Sequence, residues 1–259
     1  MSDPANVPAL EAQGLSYSYP DGREAISQVS FALAPGEAVG LIGPNGAGKT
    51  TLFMLLAGLY PAASGSVRVF GEALTGSGAH AARRRVGLVF QSTDEQLFSP
   101  TVFDDVAFGP LNFGVPRAEV RSRVAKALDA VGLRGYESRS PHHLSAGERR
   151  RVAIATVLSY DPDVLILDEP TSDLDPRGRR ELVTLLRGLG HALLIASHDL
   201  EFIARTTRRV LLLDGGAIRA DGETAGVLTN ATTLEAHGLE VPLGLRGLDA
   251  AGLERLLVG

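Results

Sequence analysis

The sequence predicts an α/β fold, a parallel sheet covered by helices on both faces. Three observations carry this. Short apolar runs recur along the chain, among them "AVGLIG", "VGLVF", "VLILD", "ALLIAS" and "VLLLD". Runs this short and this apolar read as strands buried on both sides. The stretches between them have helical spacing, and strands alternating with helices build a parallel sheet. Finally, "AVGLIG" leads straight into a glycine-rich loop and a helix-forming segment.

Each element follows in order. Leu15, Tyr17 and Tyr19 alternate with Ser16 and Ser18, a period of two that predicts a strand. "PDG" at 20–22 is a turn, and Val29, Phe31 and Leu33 alternate again before "APGE". Residues 38–43 predict a buried strand and residues 49–58 a helix ended by Gly58. "VGLVF" at 86–90 predicts another strand. From about 95 to 135 the pattern turns helical, with Val120, Val124, Ala127, Leu128 and Val131 on one face. A helix at 145–159 precedes "VLILD"; another at about 176–189 precedes "ALLIAS"; a third near 200 precedes "VLLLD". Residues 220–259 read as short helices and loops.

Composition limits the function classes. The chain has 259 residues, enough for one large domain with a buried core. Its net charge of −5 argues against a broad nucleic-acid-binding face. With no cysteine, disulfides and thiolate metal sites are excluded, and the scattered histidines lack ligand spacing. No apolar run reaches the roughly 18 residues needed to cross a bilayer, so a cytoplasmic protein is expected. If it works at a membrane, another protein must span it. Of the 25 basic residues only Lys49 and Lys126 are lysine. A lysine at position 49 therefore suggests that a compact ammonium on a flexible stem is wanted there.

"GPNGAGKT", Gly43 to Thr50, fits the phosphate-loop pattern at every fixed position, with a strand before it and a helix after it. Gly43, Gly46 and Gly48 let the backbone curl so that its N–H groups point inward toward a polyphosphate. Lys49 would reach the β- and γ-phosphates, and the Thr50 hydroxyl would complete a Mg²⁺ shell. "VLILDEP" at 164–170 ends an apolar strand in two acids. Asp168 would lie beside the Mg²⁺ site and Glu169 could polarise an attacking water. A second helix start, Ser145 to Glu148, also has the form of an anion-binding N-terminus.

In this order the motifs resemble those of ATP-binding cassette (ABC) ATPases across nearly the whole chain. The resemblance implies a P-loop NTPase (RecA-like) core with an antiparallel β subdomain and an inserted helical subdomain at about 92–160. The ATPase domain would cover residues 1–219 and a C-terminal extension residues 220–259. Tyr19 looks like the aromatic that stacks on adenine, with Tyr17 as its rival. Gly43, Pro44, Asn45, Gly46, Ala47, Gly48, Lys49, Thr50 and Thr51 would hold ATP. Gln91 looks like the Q-loop glutamine, contacting Mg²⁺ beside Thr50 and Asp168. "LSAGE" looks like the family signature, with Ser145, Ala146, Gly147 and Glu148 touching ATP. Asp175 belongs to the D-loop and His198 is the switch histidine. Lys49, Gln91, Glu169 and His198 would carry hydrolysis.

The family pairs two cassettes head to tail, so the phosphate loop of one faces the signature of the other. Ser145 and the Gly147 N–H would then touch a γ-phosphate held by the second copy, either an identical chain or a related ATPase. Ala146 departs from the usual glycine, and its methyl is expected to restrict the backbone there. Arg149–Arg151 read as a solvated helix face.

The stretch after Gln91, "STDEQLFSPTVFDDVAFGPLNFGV", looks like the same region in energy-coupling factor transporter ATPases, where a transmembrane partner docks. Leu97, Phe98, Val102, Phe103, Val106 and Phe108 are expected to offer an apolar surface, with Asp94, Glu95, Asp104 and Asp105 beside it; packing within the helical subdomain is the alternative. The later residues most resemble the cobalt and nickel branch. This implies a peripheral subunit on the cytoplasmic membrane face, with a transmembrane coupling protein and a substrate-binding membrane component as partners, and no nucleic acid. Another ABC importer or exporter shares every ATP motif. A DNA-maintenance ATPase would need a long coiled coil between Lys49 and Ser145. A non-hydrolysing cassette is at odds with intact Lys49, Asp168, Glu169 and His198.

Overall fold

A computed structural model describes residues 7–75, 79–247 and 252. The chain begins with strands β1 (Leu10–Ser18), β2 (Glu24–Leu33) and β3 (Ala38–Ile42), then helix α1 (Lys49–Leu56). Strands β4 (Ser64–Val69) and β5 (Glu72–Ala73) lead to α2 (Ala79–Arg84) and β6 (Val86–Val89). Three helices follow: α3 (Val102–Asn112), α4 (Arg117–Ala130) and α5 (Ala146–Leu158). Then come β7 (Val164–Asp168), α6 (Pro176–Gly188), β8 (Ala192–Ala196), α7 (Leu200–Thr206), β9 (Arg209–Asp214) and β10 (Ala217–Glu223). Short helices α8 (Thr224–Leu228) and α9 (Ala231–Ala236) follow.

Two sheets organise these elements. The smaller is antiparallel, in the order β2-β1-β4-β5. The larger runs β10-β9-β3-β8-β7-β6, with β9, β3, β8, β7 and β6 parallel and β10 an antiparallel edge. Side chains alternate across each strand, and both faces of the large sheet are buried. Leu165 and Leu167 of β7 join a core with the α3–α5 helices, whereas Val164 and Ile166 join a second core with α1 and the antiparallel sheet. That is why the sequence of these strands is apolar throughout.

The α/β class, the antiparallel sheet and the strand order of motifs agree with the sequence reading. The helix at 117–130 buries Val120, Val124, Ala127 and Leu128, the face its spacing predicts. The expected 219/220 boundary, however, falls within β10, which pairs with β9 from Ala217 to Glu223. Beyond it, Ala225, Leu228, Leu234 and Leu245 are buried in the helical-side core.

Two surface readings need correction. Leu97, Val102 and Val106 are buried at 3%, 0% and 0% exposure, because α3 turns that side onto α4 and α5. Phe103 packs against the same core. Asp105 is also buried: its Oδ1 accepts the N–H groups of Phe98 and Ser99, holding the turn before α3. Phe98 and Phe108 are exposed, edge to face with centroids 5.2 Å apart, and Leu111 lies exposed as well. Arg150 is not on a solvated face; it is 2% exposed, since its helical neighbours Ala153, Ile154 and Val157 face the core.

Candidate nucleotide-binding site

In a parallel sheet the carboxyl ends of the strands lie along one edge, where ligands bind. Here β8 lies between β3 and β7, so the loops leaving all three converge. From β3 comes the loop 43–48. Its turns need glycine: Gly43 has φ +155°, and a Cβ there would collide with the Leu213 carbonyl. Gly48 has φ +104°, and its Cβ would sit 2.6 Å from the Ala25 carbonyl. Gly48 hands the chain to α1, whose first residue is Lys49.

Lys49 is 9% exposed, and its ammonium donates to the carbonyls of Gly43 at 2.8 Å and Pro44 at 3.1 Å. Burial lowers its pKa, opposed by the charges of Glu169 and Asp168. The Thr50 hydroxyl donates to Asp168 Oδ2 at 2.7 Å. Asp168 ends β7 and is 4% exposed; burial raises its pKa, opposed chiefly by the Thr50 hydrogen bond. A buried cation and a buried acid side by side each gain from an added counter-charge.

Glu169 follows on β7 with φ +43°, a left-handed conformation costly for a residue with a side chain. Its N–H donates to Ala196 of β8 at 2.9 Å. Its carboxylate Oε2 receives His198 Nδ1 at 2.8 Å and the His198 N–H at 3.2 Å. The structure thus joins two residues that the sequence placed on separate motifs.

These groups line a cavity of about 730 Å³, a volume ordinary for a cofactor-sized ligand. Asn45 to Thr51 line it together with Gln91, Asp168, Glu169, His198 and Tyr19. Gly43 and Pro44 are not among the lining residues; their carbonyls hold Lys49. Tyr19 is anchored by its hydroxyl 2.7 Å from Thr51 Oγ1, whereas Tyr17 stacks on Tyr60 away from the cavity. Arg23, Glu24, Gly215 and Gly216 also line it and were not anticipated. Arg23 lies over the Tyr19 ring, 4.8 Å from its centroid. The Gly216 N–H supports the loop through the Ala47 carbonyl at 3.1 Å. Both come from turns whose sequence marks a bend and no chemistry.

Besides Gly43 and Pro44, five expected contacts lie outside the cavity. Ser145 is the N-cap of α5, receiving the Glu148 N–H, while Glu148 reaches back to the Ser145 N–H at 2.8 Å. Ala146 and Gly147 form the first turn of α5. Ala146 has no positive φ, so its methyl sits in the helix without backbone strain. Asp175 caps α6, accepting the Gly178 N–H at 2.6 Å, and also stands apart from the cavity.

The residues suit the implied ligands. Mg²⁺ favours oxygen donors and is held by one or two protein groups plus phosphates and waters. The touching Thr50 hydroxyl and Asp168 carboxylate provide that. Among the described residues no cluster of three or more His, Cys, Asp or Glu could hold a metal by itself.

Fold and site together define a phosphate-loop ATPase. The match of residues 26–172 to the ABC transporter family model makes the assignment specific: the chain belongs to that family. A Streptomyces coelicolor protein, provisionally named as an ABC transporter ATP-binding protein, is 47% identical over 97% of this chain and all of that one. The energy-coupling factor transporter ATP-binding protein EcfA of Methanothermobacter thermautotrophicus is 45% identical, over 90% of this chain and 76% of the relative. Among solved structures, cbiO1 of Clostridium perfringens, part of the ABC transporter complex cbiONQ, superposes with a TM-score of 0.78. It is 34% identical and covers 89% of this chain and 94% of its own. A dimeric ATP-binding cassette in a post-hydrolysis state, bound to ADP and phosphate, gives 0.73 at 25% identity, covering 84% of this chain and 99% of its own. The chain is an ATPase subunit of this family. Among the described residues no helix is long and apolar enough to cross a membrane.

Proposed function

We propose that this chain powers import through an energy-coupling factor-type ABC transporter, with cobalt or nickel as the cargo. The observation that carries the reading is the division of the site. Lys49, Asp168, Glu169 and His198 share one cavity, while the exposed helix start at Ser145 lies outside it. A second cassette turned head to tail brings its Ser145 and Gly147 N–H to the open side. Two-fold symmetry then gives two complete sites.

In the closed pair Lys49 and the loop amides hold the β- and γ-phosphates. Thr50, Asp168 and Gln91 would hold Mg²⁺, which neutralises phosphate charge. Glu169 polarises the attacking water and His198, hydrogen-bonded to it, keeps that water in line with the γ-phosphate. Asp175, on the segment after Glu169, relays the state of one site to the other. ATP bridges the copies; hydrolysis and phosphate release remove the bridge, and the pair opens. The exposed Phe98, Phe108 and Leu111 lie on the segment that follows Gln91 and suit a membrane-spanning partner. The cargo assignment rests on the resemblance to the cobalt and nickel branch and on the likeness to cbiO1.

The test is purification of the tagged chain from membranes, with identification of the integral-membrane partner and assay of ATP-dependent cobalt and nickel uptake by the reconstituted complex. Co-purification with energy-coupling factor components and metal uptake supports the proposal. Recovery with an exporter, or uptake of a different cargo alone, overturns it.

A further inference from the structure

Arg150 carries a charge in the interior and does not touch the nucleotide cavity. It projects from α5, five positions after Ser145 on the same helix, about 7.5 Å along the axis. Its Nη1 donates to the Phe90 carbonyl at 2.8 Å and its Nη2 to the Gln91 carbonyl at 2.7 Å. Its Nε has no partner. Asp173 and Asp168 act on it through space, against a desolvation that lowers its pKa.

Keeping a charge at such a place is costly. The guanidinium offers what a lysine lacks, a planar fork that takes two successive carbonyls at once. A second side chain reinforces the same joint. Gln96 Oε1 accepts the Phe90 N–H at 3.1 Å, while its Nε2 donates to the Ala153 carbonyl and to Thr156 Oγ1 of α5, both at 2.8 Å. The backbone leading into the Gln91 side chain is therefore fastened to α5 from both directions.

We infer that Arg150 is a positioning residue for ATP hydrolysis: by gripping the Phe90 and Gln91 carbonyls it sets the Gln91 side chain at the cavity edge and ties that placement to Ser145 on the same helix. The inference rests on the proposed roles of Gln91 at the metal and Ser145 across the dimer. Nucleotide capture by the Lys49 loop is expected to survive loss of Arg150, whose hydrogen bonds go to the Phe90 and Gln91 carbonyls and whose charge reaches the loop's neighbour Asp168 only through space.

The test is a double-mutant cycle on the purified full chain, measuring ATP affinity and kcat for Arg150→Gln, Gln91→Ala and the pair. Arg150→Gln is expected to lower kcat by about tenfold to a hundredfold, the scale of a small misplacement at a catalytic centre, with affinity changed less than about twofold. In the Gln91→Ala background the same substitution should cost no more than about twofold. Arg150→Lys, which keeps the charge and loses the fork, should fall between wild type and Arg150→Gln. If Arg150→Gln does not fold by circular dichroism, the cycle is run with Arg150→Lys and must show the same non-additivity. Multiplying losses, or wild-type kcat in the Arg150 variant, overturns the inference while leaving the Gln91 reading intact. Wild-type kcat in Gln91→Ala alone overturns that reading, and the inference falls with it.

Discussion

His198 Nδ1 lies 2.8 Å from Glu169 Oε2, and the His198 N–H reaches the same oxygen at 3.2 Å. Two adjacent strands, β7 and β8, deliver this pair: Asp168 stands in register with Ala196, and Glu169, one residue past β7, meets His198, two residues past β8. The Glu169 side chain is 9% exposed and that of His198 67%, so the pair presents one fixed acid and one accessible ring.

Glu169→Gln keeps the shape of that contact and removes the negative charge. It should leave ATP binding intact and cut turnover by about 10²- to 10⁴-fold, the range of a positioned base. An ATP-bound dimer should accumulate and be visible by size-exclusion chromatography with ATP present. Near-normal turnover would remove Glu169 from the mechanism.

Lys49 does a different job. Its ammonium bridges two loop carbonyls, and the residue lines the cavity proposed to hold phosphate. Charge-assisted hydrogen bonds are each worth about 1.5–3 kcal/mol. Lys49→Ala should therefore weaken ATP binding by about tenfold to a hundredfold or more, read by equilibrium titration. Unchanged affinity would contradict the phosphate-loop assignment.

The Lys49 loop was legible because its information is local: three glycines, a lysine and a threonine in one octet, between a strand and a helix. The Glu169–His198 contact spans 29 positions and depends on strand register, which no local pattern states. Arg150 shows a different limit. It stands three, four and seven positions before Ala153, Ile154 and Val157, on the apolar side of α5, yet a run of three arginines reads as solvent-facing. Which side of a helix is covered on all faces becomes clear only when α3, α4 and the sheet close around it. Leu97, Val102 and Val106 were misread for the same reason, as a surface with its covering elements out of view.

Ala146 occupies the first turn of α5 without a positive φ. Glycine there would gain no needed conformation and would lower helix propensity, by up to about 1 kcal/mol in a helix interior. Ala146→Gly should leave the ATPase rate unchanged or raise it, with a slight fall in thermal stability. A large loss of steady-state rate would mean that the methyl contributes to the paired site.

Leu234 of α9 is fully buried in the helical-side core, although its segment reads in sequence as an appendage. Leu234→Ala should cost about 2–5 kcal/mol, the range for an excavated core leucine, in urea unfolding that remains a single transition. A cost below about 1 kcal/mol would detach α9 from the core.

The cap of α5 gives a pH-dependent prediction. Glu148 Oε1 accepts the Tyr136 hydroxyl at 2.7 Å and Oε2 accepts the Ser145 N–H and hydroxyl, both at 2.8 Å. The Tyr136 bond, then those from Ser145, hold the Glu148 carboxyl below its ordinary range. A carboxyl depressed in the folded state is protonated first in the unfolded chain. Its contribution is therefore complete above the unfolded value, about 4.3, and is lost as pH falls through the lower folded value. Tyr136→Phe removes the largest cause and should shrink the part of the stability loss that Glu148 contributes on acidification. Urea midpoints taken near neutrality and at about pH 3 should lie closer together in the variant than in the wild type. Solvent screening at this partly exposed site keeps the difference small. An equal or wider separation would show that Tyr136 does not govern Glu148, and that the Ser145 cap is held by the helix start alone.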